Sequence, residues 1–389
     1  MMIPVQQKSK RNKKYPLFAN VQLMWLCLLL LPHMVDADSL KTHFKDDFLI
    51  GAAVGRSIVE GDSPLANELV SKHFNTLTVE NDMKAEVVSP QRGQYDFSRA
   101  DAFIDYAKAR NAFVIGHTLI WHNQTPSWFF TNEKGEPFDE EEQSRVLNAH
   151  IKVMAERYLG QVHAWDVLNE IIDDDGSYRP TIWVEQIGGG DKLAKMAFRA
   201  AQKYAPNTEL YYNDFNAWKP GKVKGIVRMI RMLKKEGIRI DGIGIQGHWG
   251  LNYPSISLIE EAIDAYAAEG VKVMISEIDI DVLPITKEGQ VIGSGLLHKQ
   301  FQEPEFEAFL DPYKENLPTS VAKQLDARWT ALFSLFKRKS DAIDRVTFWG
   351  VDDSTSWKND YPVTNRTNYP LLWNRDFSPK GALEKILTL

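Results

Sequence analysis

The chain has 389 residues, 44% hydrophobic and 25% charged, with a formal net charge of −6. That balance suits a large folded enzyme domain and excludes a disordered or fibrous chain. The negative charge argues against nucleic acid or an anionic membrane as partner, and one cysteine excludes a disulfide framework.

In chain order, residues 1–37 read as a signal peptide. Lys8, Lys10, Arg11, Lys13 and Lys14 form a basic start, and Val21 to Leu31 is apolar but short for a membrane span. Val35-Asp36-Ala37 offers a small-residue cleavage site. The expectation is a secreted or extracytoplasmic protein, with a retained membrane anchor as the alternative. Cleavage would remove Cys27 and take the net charge to −10, because the segment carries five Lys/Arg and one Asp.

Residues 38–389 then alternate strand-like with helix-like runs. Leu49 to Val54, Phe74 to Glu80, Ala112 to Trp121 and Val162 to Glu170 are the first four strand candidates. Glu209 to Phe215, Gly242 to His248, Val271 to Ile280 and Val346 to Asp352 complete eight. They are mostly continuous apolar runs, as strands covered on both faces are. Between them, Leu147, Ile151, Met154 and Tyr158 keep a helical period, as do Ile259, Ala262, Ile263, Tyr266 and Ala267 before Gly270. Eight such repeats predict an α/β chain closed as a single (β/α)₈ TIM barrel, one catalytic domain over 38–389. A doubly wound sheet would want a glycine-rich turn after the first strand. Gly51 and Gly55 do not make one, and Gly188-Gly189-Gly190 does not follow a strand. The segment Leu283 to Ser320 is an insertion, expected over the active-site face.

Polar residues crowd the C-terminal ends of these runs: Glu80-Asn81-Asp82-Met83-Lys84, His117 to Gln124, Asn169-Glu170, Tyr212-Asn213-Asp214, Gln246-Gly247-His248 and Glu277-Ile278-Asp279. Trp349, Asp352 and Trp357 sit at the last end. Barrel enzymes place their chemistry on that rim. Glu170 and Glu277 end strands on opposite sides of the mouth and supply the two carboxyl groups that glycoside hydrolysis needs. Asn169 is suited to a sugar 2-hydroxyl, His248 and Gln246 to orienting Glu277, and tryptophan faces to packing on pyranose rings. Asp166 and Asp279 are expected to be structural; tuning a neighbour is the alternative. His117, His122 and His248 lack His-x-His or His-x-x-x-His spacing, so no metal and no cofactor are expected. No Gly-x-Ser-x-Gly elbow suggests a serine nucleophile. Asn365-Arg366-Thr367 and Asn123-Gln124-Thr125 match the glycosylation pattern, the second inside the expected site.

Five segments in this order resemble glycoside hydrolase family 10, the xylanases. They are Thr78 to Lys84, Gly116 to His122, Trp165 to Glu170, Ile243 to His248 and Ile275 to Asp279. The resemblance covers about Phe48 to Leu387. It implies a retaining endo-1,4-β-xylanase with Glu170 as acid/base and Glu277 as nucleophile. It implies that Glu80, Asn81 and Lys84 bind sugar on the non-reducing side of the cut. His117, Trp121, Gln124, Asn169, Gln246 and His248 would line the central subsite, with Trp349 and Trp357 closing over it. The implied partner is xylan or a xylo-oligosaccharide, with no obligatory protein partner and a monomeric state. One departure stands at Phe215, where the family usually has tyrosine, leaving a contact on the leaving-group side without its hydroxyl. The rival readings are an endo-glucanase on the same barrel and a binding barrel without activity.

Overall fold

The computed structural model describes residues 39–283 and 306–389. The signal peptide expected over 1–37 and most of the Leu283–Ser320 insertion therefore lie outside the described residues.

Among the described residues nine strands run in chain order: β1 Leu49–Val54, β2 Thr76–Val79, β3 Phe113–Gly116, β4 Ala164–Asn169, β5 Glu209–Asp214, β6 Gly242–Ile245, β7 His248–Gly250, β8 Lys272–Asp281 and β9 Ile343–Phe348. All pair in parallel. Seven neighbour pairs run β6-β5-β4-β3-β2-β1-β9-β8, and a β6–β8 pairing closes the ring into an eight-stranded barrel. Strand β7 pairs only with the outer end of β8, His248 opposite Asp279. Because helices cover the outside and side chains fill the inside, most strand residues are buried on both faces.

The helices obey local rules. Asp139 caps the helix Glu140–Arg157 by accepting from the Glu142 amide at 2.8 Å, and three glutamates fill its first turn. That helix buries Leu147, Ile151 and Met154, the periodic positions. Ser255 caps Ile256–Ala268, and Gly270, at φ 67°, follows its end.

The lumen is filled, not open. Ile115, Ala164, Tyr211 and Met274 form a small cluster separate from the main core. They come from β3, β4 and β5, which are neighbours in the ring, and from β8, which reaches them across the interior. Below them Arg345 of β9 lies between Phe113 and Tyr211, 4.7 Å from each ring centroid. It pairs with Glu209 at 2.9 Å and Asp344 at 3.0 Å. The N-terminal end of the barrel is thus closed by charge and aromatic rings.

Three strands differ from expectation. β3 stops at Gly116, so His117 follows it rather than riding on it. β6 stops at Ile245, and Gly247 at φ 86° redirects the chain before His248 starts β7. β9 spans Ile343–Phe348 rather than Val346–Asp352, so Trp349 and Asp352 lie beyond it. Asp344 and Arg345 look like loop residues, but Arg345 reaches Glu209 of β5 across the lumen at 2.9 Å, which lets the pair be strand.

Candidate active site

The barrel delivers the polar residues to one mouth. Glu80, Asn81 and Lys84 follow β2; His117, Trp121 and Gln124 follow β3. Asn169 ends β4, and Glu170 comes next at φ 62°. Gln246 follows β6 and His248 opens β7. Glu277 lies within β8 where its register against β9 slips between Ile275 and Ile278, an irregularity that re-aims a side chain. Trp349 follows β9, and Trp357 opens a short 3₁₀ turn to Asn359. Every site residue named from the sequence lines a single cavity of about 610 Å³.

The two central glutamates have different surroundings. Glu277 is buried; it accepts from Asn213 Nδ2 at 2.7 Å and faces His248 Nε2 at 3.1 Å. Burial alone would push its carboxyl up. The His248 hydrogen bond, the His117 and His248 charges and the Asn213 amide outweigh this and hold it below the usual range. Glu170 accepts from Trp121 Nε1 and from Gln246 Nε2, each at 2.9 Å. Gln246 therefore orients Glu170, not Glu277 as expected. The Glu277 partner in that role is Asn213, which also lies 3.0 Å from Asn169 Oδ1.

Behind Glu277 runs a chain of buried charge. His248 Nδ1 meets Asp279 Oδ2 at 2.9 Å. Burial would lower the His248 pKa, yet Asp279 and Glu277 raise it to about 9, so the ring is an imidazolium at neutral pH. Burial would raise Asp279, but His248 and Lys358 bring it below its ordinary value. Lys358 Nζ stands 3.9 Å from Asp279 and 3.5 Å from Asp281. Asp279 also accepts from Trp357 Nε1 at 2.8 Å. Asp166 plays the corresponding part behind His117, at 2.9 Å. Both aspartates are hydrogen-bonded to histidines that line the cavity, a contact that the tuning alternative requires.

The opposite flank carries the β2 group. Lys84 Nζ donates to Asn81 Oδ1 and Gln124 Oε1, each at 2.8 Å. Burial pushes Lys84 down against the pull of Glu277, Glu80 and Glu170, and pushes Glu80 up against the pull of Lys84. Trp349 stands edge-on to His117 at 5.3 Å. Trp357 stacks on Tyr361 at 5.3 Å and 23°.

Five further residues line the cavity: Arg179, Lys358 and Tyr361, which the sequence reading does not name, and Asn123 and Phe215, which it names without giving them a binding role. Arg179 packs over Phe215 at 4.7 Å, and its Nε and Nη2 are buried without a hydrogen-bond partner. Lys358 adjoins Trp357, which was signal enough to include it, and Phe215 is left out because it lacks the hydroxyl of the family's usual tyrosine. Arg179 and Tyr361 lie in loops with no periodic mark. Among the described residues no group of three or more His, Cys, Asp or Glu is arranged to hold a metal ion.

Comparison with known proteins places these residues in company. The description Glycosyl hydrolase family 10 matches residues 39–389. The chain is 35% identical over 368 residues to Endo-1,4-beta-xylanase A of Xylanibacter ruminicola, covering 94% of this chain and 97% of that one. It is 36% identical over 356 residues to Endo-1,4-beta-xylanase of Geobacillus stearothermophilus, covering 90% and 98%. Among solved structures, a GH10 endoxylanase from a sugarcane soil metagenome matches at TM-score 0.82 and 37% identity, covering 90% of this chain and 99% of that one. A mutant structure in complex with xylotriose matches at TM-score 0.78 and 34% identity, covering 90% and 99%.

Proposed function

The chain belongs to glycosyl hydrolase family 10, and from that membership we propose that it is a secreted endo-1,4-β-xylanase that cuts internal bonds of xylan with retention of configuration. The observation that carries the reading is the pair Glu170 and Glu277, set in one cavity with unlike neighbours. Glu277 sits among cationic and amide donors that favour a carboxylate, which is the form a nucleophile needs. Glu170 is held only by neutral donors, which suits a group that must carry a proton and then release it.

In the first step a Glu277 oxygen bonds to the anomeric carbon while the bond from that carbon to the leaving sugar oxygen breaks. The Glu170 proton goes to that oxygen. The imidazolium of His248 keeps its hydrogen bond to the other Glu277 oxygen throughout. Ester formation leaves Glu170 as the carboxylate, its proton now on the departing sugar. In the second step Glu170 takes a proton from water, the water oxygen bonds to the anomeric carbon, and the ester bond breaks to restore Glu277. Retention requires the carboxyl groups to stand about 5–5.5 Å apart.

Glu80, Asn81 and Lys84 hold sugar on the non-reducing side. His117, Gln124 and Asn169 hold the central unit under Trp349 and Trp357. Trp349 and Gln124 are positioned to exclude a hydroxymethyl group, the difference between glucose and xylose. The relatives' names as xylanases support this choice. The protein acts as a monomer after loss of residues 1–37.

Reducing-sugar release from xylan and carboxymethyl-cellulose, side by side, tests the substrate. Xylan alone should respond; cellulose cleavage at a similar rate would overturn the preference, and silence on both would leave a binding barrel. Proton NMR of the first product should show the β-anomer. For Glu277→Gln, kcat should fall by about 10⁴-fold or more with an unchanged melting temperature. Substantial residual turnover would remove Glu277 from the nucleophile role.

A further inference from the structure

Glu170 holds φ 62°, a left-handed backbone that a β-carbon disfavours, so the turn that carries it needs support. Its own amide donates to the Asn213 carbonyl at 3.0 Å. The next two amides, of Ile171 and Ile172, converge on one oxygen, the Tyr212 hydroxyl, at 3.1 and 3.0 Å. Both isoleucines are buried, so water is not at hand to replace that acceptor. A phenolic oxygen both donates and accepts. Here it accepts from the two amides and donates its hydrogen to Asp214. Lys222, on the helix Pro220–Lys235, donates to the other Asp214 oxygen at 3.0 Å and to the Phe215 carbonyl at 2.9 Å. Burial, helped by the Asp214 charge, holds the Tyr212 phenol well above its ordinary value, so it keeps the hydrogen it donates. Burial raises Asp214 to about 6 against the pull of Lys222, which leaves it mostly a carboxylate at neutral pH.

We propose that Tyr212 is a positioning residue for the acid/base: its hydroxyl, oriented by Asp214, fixes the backbone turn that aims the Glu170 carboxyl at the leaving oxygen. The inference rests on the hydrolase reading and deepens it, because Tyr212 serves the reaction from outside the cavity. Side chains alternate along a strand. Tyr211 and Asn213 of β5 face the lumen, where they meet the interior cluster and Glu277. Tyr212 and Asp214 face the other way, are fully buried and do not line the cavity. Loss of the hydroxyl would leave two buried amides unpaired, and they could pair again only if the turn rotated. The Glu170 carboxyl would then leave Trp121 and Gln246. Glu277 is held separately, on β8, by His248 and Asn213, and would keep its place.

Two substrates separate aim from general damage. Xylohexaose leaves through a sugar oxygen that needs a proton, whereas 2,4-dinitrophenyl β-xylobioside leaves as a phenolate that needs none. At neutral pH, Tyr212→Phe should lower kcat/KM on xylohexaose by about 10–100-fold, with KM within about two-fold of wild type. On the dinitrophenyl substrate kcat/KM should stay within about two-fold. Its kcat should fall, because Glu170 must still take a proton from the water that opens the ester. Azide needs no base: its nitrogen bonds to the anomeric carbon as the ester bond to Glu277 breaks. Added azide should therefore restore kcat and yield β-xylobiosyl azide. An equal fall in kcat/KM on both substrates would mean general distortion of the site and overturn the proposal. So would unchanged kinetics on both, a loss confined to KM, or a kcat that azide does not restore. If Tyr212→Phe does not fold, Asp214→Asn decides in its place, because it keeps the hydroxyl and removes the charge that orients it. The same split between substrates is expected there, at about three-fold or more, and parallel losses would overturn the proposal. Wild-type silence on both substrates would overturn the hydrolase reading itself, a result distinguishable from all of these.

Discussion

His248 is clamped between two carboxylates, Glu277 at 3.1 Å and Asp279 at 2.9 Å. Its raised pKa, about 9, means that the folded state prefers the protonated ring. The stabilisation from that ring is complete below its ordinary value of 6.5 and is lost as pH rises through about 9. Glu277 and Asp279 are depressed, so their contributions are complete above 4.5 and 3.8 and are lost as pH falls through their lower folded values. Melting temperature and activity should therefore both decline on the alkaline side near pH 9. Asp279→Asn removes the largest influence raising His248 and should move the alkaline limb of kcat/KM to lower pH. A pH–rate profile that stays in place would separate Asp279 from that limb. At this scale the sequence showed which groups assemble but not which touch. Gln246 and Asn213 both sit at strand ends facing the mouth. Whether an amide reaches Glu170 or Glu277 depends on register and cross-lumen distance, which residue spacing does not encode.

Strands were legible where composition and geometry agreed. The run Leu49–Val54 is apolar, buried and bounded as expected. β9 was displaced because Asp344 and Arg345 stand near its start, a pair that reads as surface until Glu209, the partner across the barrel, is known. β7 was invisible, being three residues split from β6 by Gly247. Close packing between strands leaves its own mark in glycine. A Cβ on Gly116 would lie 2.2–2.8 Å from three atoms of the six-membered ring of Trp165, which is itself buried. Gly116→Ala should therefore destabilise by about 1–3 kcal/mol, a fall in melting temperature of about 1–2 °C for each kcal/mol in a domain of this size. Differential scanning calorimetry checks it; an unchanged melting point would mean that Trp165 has room to move.

Across the whole molecule, the two ends of the barrel divide the work. The mouth holds the candidate site, and the opposite end is closed by Arg345 with Glu209, Asp344 and Tyr211. Arg345→Met would leave both carboxylates without their buried cation. The cost should be about 3 kcal/mol, toward the low end for a broken buried pair because Glu209 and Asp344 are part-exposed. Denaturant unfolding should register that loss while KM for xylan stays at its wild-type value. A raised KM would show that the plug reaches the mouth. The closed barrel was legible from eight alternating runs, since few architectures accommodate that pattern. The plug was not, because it joins β5 to β9, strands far apart in sequence that meet only once the ring closes.

Trp357 has one more consequence. Its indole nitrogen is fastened to Asp279, and its ring lies 4.9 Å from that of His248. A protonated imidazole at that distance quenches indole emission, and a neutral one quenches it far less. The protein thus carries an optical indicator wired to the charge beside its proposed nucleophile. Emission at alkaline pH should brighten through about pH 9 in step with the loss of the His248 proton. A Trp357→Phe variant should lack that component. Substrate binding, ester formation and product release each alter the charge next to His248, so stopped-flow fluorescence could follow a single turnover without any added label.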